Sequence, residues 1–134
     1  MTFKGVNRMR DLKFGQKGEE DCFVKINDYL KEKVIHQGGY NVFDYYSDSY
    51  LIELKTRRNN YSAYPTTMIP MNKIRTGLKD EKKKMAFFFN FTDGLYCWHY
   101  DDDEYLIQKG GRWDRGVEEI KDYAYIPIDK LIKV

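Results

Sequence analysis

Between Asn41 and Arg58 the chain reads NVFDYYSDSYLIELKTRR, and this stretch restricts the fold more than any other. It holds two strand-like segments, and each carries acidic residues where a plain buried strand carries apolar ones. Side chains alternate faces along a strand, so Leu51, Glu53 and Lys55 share one face while Ile52 and Leu54 take the other. Residues two apart on a strand stand about 6.6 Å apart, close enough for the Glu53 carboxylate and Lys55 ammonium to address one phosphate or one bound water. Asp44 lies upstream, with Val42 and Tyr46 on its own face. If the two segments pair across a short Ser47-Asp48-Ser49 turn, Asp44 meets Glu53. The plain alternative is a surface strand with an ordinary Glu–Lys pairing, worth well under ~1 kcal/mol.

A helical pattern begins at Phe14, where Cys22, Phe23, Ile26, Tyr29 and Leu30 recur at intervals of three to four and form one apolar face. Stepping back four from Phe23, or three from Cys22, lands on Glu19. Glu20 and Asp21 fall to the sides, where the helix dipole accounts for them. Glu19 is therefore the acid expected on the inward face.

After the helix, Val34 to Gln37 reads as a short strand and Gly38-Gly39 as its turn. Asn59 to Thr67 reads as a polar loop without clear period. A helix is expected from Pro70 to Lys84, with Met71, Ile74 and Leu78 on one face and lysines and Arg75 over much of the rest. Such a basic face is either merely solvated or tracks phosphates, and Arg57 and Arg58 nearby favour the second. The AFFFNF strand, Met85 to Phe91, should return beside the Glu53 strand by a crossover, then turn at Asp93-Gly94 into Leu95–Tyr100. Asp101–Asp103 reads as a solvated hairpin tip and carries no assignment. Tyr105–Gln108 and Tyr123–Ile128 read as strands, with Gly110-Gly111 as a turn, Trp113–Asp122 ambiguous, and a short turn around Asp129–Ile132.

An aspartate on one strand followed by Glu-x-Lys on the next resembles the PD-(D/E)XK nuclease superfamily. The motif here is Asp44, then Glu53-Leu54-Lys55, with Phe43 where the family usually has proline. FGQKGEEDCFVKINDYL looks like the superfamily's first helix, which in many members carries a glutamate aimed at the metal site. The resemblance spans residues 14–92 of a single domain, 1–134, leaving 93–134 as a C-terminal β extension. It implies an α/β (α+β), restriction-endonuclease-like αβββαβ core, a mixed central sheet flanked by helices. It also implies a DNA endonuclease in which Asp44 and Glu53 hold Mg²⁺ or Mn²⁺, the Leu54 carbonyl is a third ligand, and Lys55 orients the attacking water. Glu19 would hold a second metal or a water, and Arg57, Arg58, Lys73 and Arg75 would contact phosphates. Double-strand cleavage by so small a chain suggests a homodimer. The alternatives are a catalytically inactive nucleic-acid-binding module of the same fold, or a protein-interaction domain.

The rest of the sequence narrows these choices by exclusion. The formal charge is only +2 among 134 residues, so charge distribution matters more than its total. Neither a signal-peptide core nor an apolar run approaching the roughly 20 residues of a membrane span is found, so an intracellular, non-secreted protein is expected. Cys22 and Cys97 lack zinc spacing and read as buried thiols, and His36 and His99 are isolated and read as structural. A serine-hydrolase elbow and a phosphate-binding glycine loop are both missing.

Overall fold

The computed structural model describes residues 20–37, 42–111 and 120–134. Glu19, the Gly38-Gly39 turn and residues 113–119 of the ambiguous segment lie outside them. Helix α1 covers 20–30, followed by β1 (Ile35–His36), β2 (Tyr45–Tyr46) and β3 (Tyr50–Thr56). Then come β4 (Thr66–Pro70), α2 (Met71–Gly77), β5 (Lys84–Phe91) and β6 (Gly94–His99). The chain closes with β7 (Leu106–Gly111), β8 (Ile120–Pro127), a 3-10 turn at Ile128–Lys130, and β9 (Ile132–Lys133).

Six strands form one mixed sheet in the order β1-β2-β3-β5-β6-β9. Its single parallel pairing among the described residues joins β3 to β5, with Glu53 opposite Phe87 and Lys55 opposite Phe89. The expected αβββαβ order is present, with β4 inserted ahead of α2. β5 lies inside the sheet and reads Lys-Met-Ala-Phe-Phe-Phe-Asn-Phe without polar alternation, because both of its faces are covered. On one face Cys22 and Ile26 of α1 pack with Ile52, Ala86, Phe88 and Cys97. On the other, Ile69, Met71, Ile74, Ala124 and Ile126 pack with Phe87, Phe89, Phe91 and Trp98. Both cysteines are buried, as expected. His99 accepts or donates at 2.9 Å to the Tyr29 hydroxyl, a structural contact.

Three expectations are corrected here. Thr66 and Thr67, expected in the loop, and Pro70, expected to start the helix, belong to strand β4: it pairs antiparallel with β8 and, with β7, makes a second sheet of order β4-β8-β7. Pro70 is tolerated because β4 is an edge strand and Pro70 is its last residue. The helix expected to reach Lys84 stops at Gly77, and Lys84 already begins β5. A Cβ on Gly77 would lie 2.1 Å from Met85 Sδ and 2.9 Å from Phe43 Cζ, so the helix runs hard against the sheet there. Asp80 then turns the chain, its Oδ1 accepting the Lys82 N–H at 3.0 Å. Lastly, Gly110 and Gly111 belong to β7 and do not form a turn. The residues after 92 complete the sheets: β6 and β9 extend the main one, and β7 and β8 build most of the other.

Candidate active site

The site is assembled by register. Tyr46 pairs with Leu51 and Tyr45 with Ile52, so the next position outward sets Asp44 opposite Glu53. The Asp44 carbonyl accepts the Gln37 N–H at 2.9 Å from the β1 side. Its side chain turns the other way, and Oδ2 accepts the Leu54 N–H at 3.2 Å. The N–H and C=O of one strand residue point to the same edge, so the Leu54 carbonyl also faces this side of β3.

Glu53 is 2% exposed, yet its carboxylate is not isolated. Lys55 Nζ stands 3.5 Å from Oε1 and Lys73 Nζ 3.0 Å from Oε2. Lys73 also donates to the Val42 carbonyl at 2.6 Å, tying α2 to the segment just before Asp44. Burial pushes the Glu53 carboxyl above its ordinary range, and the nearby Asp44 charge adds to that push, while Lys73 and Lys55 act against it. Two carboxylates crowded at a buried point are stabilised by a cation between them. The donor set is oxygen only: Asp44, Glu53 and the Leu54 carbonyl edge, with neither imidazole nor thiolate. That chemistry fits a hard divalent ion such as Mg²⁺ or Mn²⁺.

Of the residues singled out from sequence, Asp44, Glu53 and Lys55 come together as expected, and Lys73 joins them from α2. The face expected for that helix was Met71, Ile74 and Leu78. The buried residues are instead Met71, Ile74 and Gly77, while Leu78 is 52% exposed. This rotation brings Lys73, four residues before Gly77, to the buried flank. Gly77 marks the tightly packed face of the helix, against the Met85 and Phe43 side chains, and Lys73 lies one turn before it.

The other basic residues are not gathered at the site. Arg57 Nη2 donates to the Met68 carbonyl at 2.7 Å, and its guanidinium sits 5.8 Å from the Phe89 ring centroid. Burial lowers its pKa. Arg75 pairs with Asp122 at 3.4 Å on β8, and Lys109 meets the same carboxylate at 2.9 Å. Arg58 is exposed. Lys83 caps the β2–β3 turn by donating to the Ser47 carbonyl. Glu19 lies outside the described residues, and the described part of α1 packs on the sheet face opposite Glu53. Asp101, Asp102 and Asp103 bring carboxylate oxygens within 4.8 Å of one another, but they are exposed on a turn and share no residue with the site.

A family model described as "Phage putative PDDEXK endonuclease" matches residues 22–134. Comparison with curated proteins and with solved structures returns no significant match. No helix among the described residues is long and apolar enough to cross a membrane.

Proposed function

The chain belongs to the phage PDDEXK endonuclease family, and on that premise we propose that it is a divalent-metal-dependent endonuclease hydrolysing DNA phosphodiester bonds. The observation that carries this reading is the buried Glu53 carboxylate, with the Asp44 charge beside it from the residue just before β2, outside the strand where it was expected, and with Lys55 two residues along its own strand. Asp44 and Glu53, with the Leu54 carbonyl, would hold Mg²⁺ or Mn²⁺. When bound, such an ion acidifies a water and offsets charge on the phosphoryl oxygens.

The protein groups act around that ion. Lys55 is 29% exposed at its side chain, so its ammonium can leave Glu53 for an incoming phosphate oxygen or hold the attacking water in line. Asp44 is anchored by the Leu54 N–H, which fixes one oxygen and leaves the other to a ligand. Glu19 would supply a further carboxylate, and exposed Arg58 a phosphate contact. Cutting both strands of a duplex would take two copies of the chain, one site for each strand. A nucleic-acid-binding module without catalysis is the second reading, favoured by Glu53 already being satisfied by two lysines.

The test is plasmid and oligonucleotide cleavage by purified protein with Mg²⁺, Mn²⁺, Ca²⁺ or EDTA, on DNA and on RNA. Cleavage with Mg²⁺ or Mn²⁺ that disappears in EDTA, and in Asp44→Ala, Glu53→Ala and Lys55→Ala, supports the reading. Cleavage retained in any of these folded variants removes that residue from the site. Binding without cleavage under every metal would leave the second reading, and a preference for RNA would overturn the DNA assignment.

A further inference from the structure

Lys55 belongs to the Glu-x-Lys motif, but the closer ammonium on Glu53 is that of Lys73, at 3.0 Å against 3.5 Å. The Lys73 side chain is only 18% exposed and has two fixed acceptors, the Glu53 carboxylate and the Val42 carbonyl. A side chain so held is not one that sweeps solvent for phosphates. It is a built-in counter-ion. Resting on the metal-dependent reading above, we propose that Lys73 is a positioning residue that occupies Glu53 Oε2 before metal arrives, and that a divalent ion must displace it to load.

Counting charges shows why such an arrangement is useful. Asp44 and Glu53 contribute −2, Lys55 and Lys73 contribute +2, and the four groups sum to zero. A divalent ion raises the set to +2, which balances one phosphodiester charge plus one hydroxide. Without Lys73 the loaded set is only +1, while the empty set is −1 and attracts the ion more strongly. Lys73 thus trades affinity for the metal against affinity for the charged reacting groups. Its bond to the Val42 carbonyl also ties down the segment that carries Asp44 into β2. Displacement from Glu53 need not detach it from that carbonyl, so the freed ammonium stays beside the site.

The experiment measures Mn²⁺ binding by calorimetry on EDTA-stripped protein, independently of cleavage, together with melting temperatures. Lys73→Gln keeps a donor for the Val42 carbonyl but removes the charge, and Lys73→Arg restores the charge. Expected are Mn²⁺ binding tightened by about tenfold in Lys73→Gln, on the scale of one close charge pair, a lowered metal-free melting temperature, and near-wild-type values in Lys73→Arg. Cleavage at saturating Mn²⁺ should fall in Lys73→Gln although the metal binds better. Lys73→Met serves as a second charge-neutral variant, and the same direction of change in it supports the assignment. Unchanged or weaker Mn²⁺ binding in Lys73→Gln, alongside wild-type binding that Glu53→Gln abolishes, would overturn the role of Lys73 and leave the metal site standing. Failure of the wild type to bind Mn²⁺ at all would overturn the metal-dependent reading itself, and this inference with it.

Discussion

The Glu32 carboxylate accepts the Ser47 hydroxyl at 2.6 Å, and the same oxygen accepts the Ser49 N–H at 3.0 Å. One acid at the exit of α1 thus fixes both sides of the turn that joins the Asp44 strand to the Glu53 strand. Ser47 is 1% exposed, so removing its acceptor leaves a buried hydroxyl without that bond. Glu32→Ala should cost about 1–3 kcal/mol in urea unfolding, the range for losing bonds to a charged group. Activity should fall further than stability accounts for, because the turn sets the register of the site.

The same contact predicts an acid sensitivity. The Ser47 hydroxyl first, and then Ser49, hold the Glu32 carboxyl below its ordinary value of 4.5. A depressed folded value means the contribution is present well above pH 4.5 and is lost as pH falls through the lower folded value. Wild type should therefore lose stability more steeply than Glu32→Gln as pH drops below about 4.5, where the carboxylate begins to protonate. Parallel slopes in acid unfolding curves would remove Glu32 from this role.

Gly77 should not tolerate alanine. Helix propensity alone would favour the substitution by about 1 kcal/mol. Overpacking against buried Met85 and Phe43 costs about 1–3 kcal/mol and should win. Gly77→Ala combined with Met85→Ala should be less destabilised than the sum of the singles, as read from a double-mutant cycle.

Lys31 should welcome glycine. It ends α1 at φ 57°, left-handed backbone, where its N–H still bonds the Asn27 carbonyl at 2.8 Å. Glycine takes this conformation without a Cβ penalty, so Lys31→Gly should raise stability by about 0.5–1 kcal/mol. A lower melting temperature would contradict this.

Arg57 and Arg58 are neighbours with different work. Arg57→Ala removes a donor to the Met68 carbonyl and should destabilise by about 1–3 kcal/mol. Arg58→Ala should leave stability within about 0.5 kcal/mol. As a phosphate contact, its loss should flatten the log K versus log[salt] slope by about 0.9 on duplex DNA in Ca²⁺. An unchanged slope would make Arg58 a solvated charge.

The sequence was most informative where two constraints met on one residue. Alternation placed Glu53 and Lys55 together, the turn placed Asp44 opposite, and the crossover brought the Phe-rich strand alongside; all three geometries are present. The β4 strand escaped notice because its inward residues, Thr67 and Ile69, give only one period of alternation between two prolines. Its partner β8 lies more than fifty residues downstream, and no local pattern reports such a pairing. Lys73 reads as a phosphate contact on an exposed helix face for a similar reason: Leu78 sets the expected helix phase, and the packing that rotates the helix comes from Met85, on another strand. Glu19 rests on sequence phase alone.

β2 is two residues long, whereas β3 runs for seven. Its registered partners end at Ile52, so the edge of β3 from Glu53 onward carries no further rung toward β2 among the described residues. A neighbouring strand would sit about 4.8 Å away along that edge and would claim the Leu54 backbone groups. Instead Asp44 takes the Leu54 N–H with its side chain, in place of a backbone rung among the described residues. An insertion that brought a backbone rung opposite Leu54 would therefore take that N–H from Asp44 without altering Asp44, Glu53, Lys55 or Lys73.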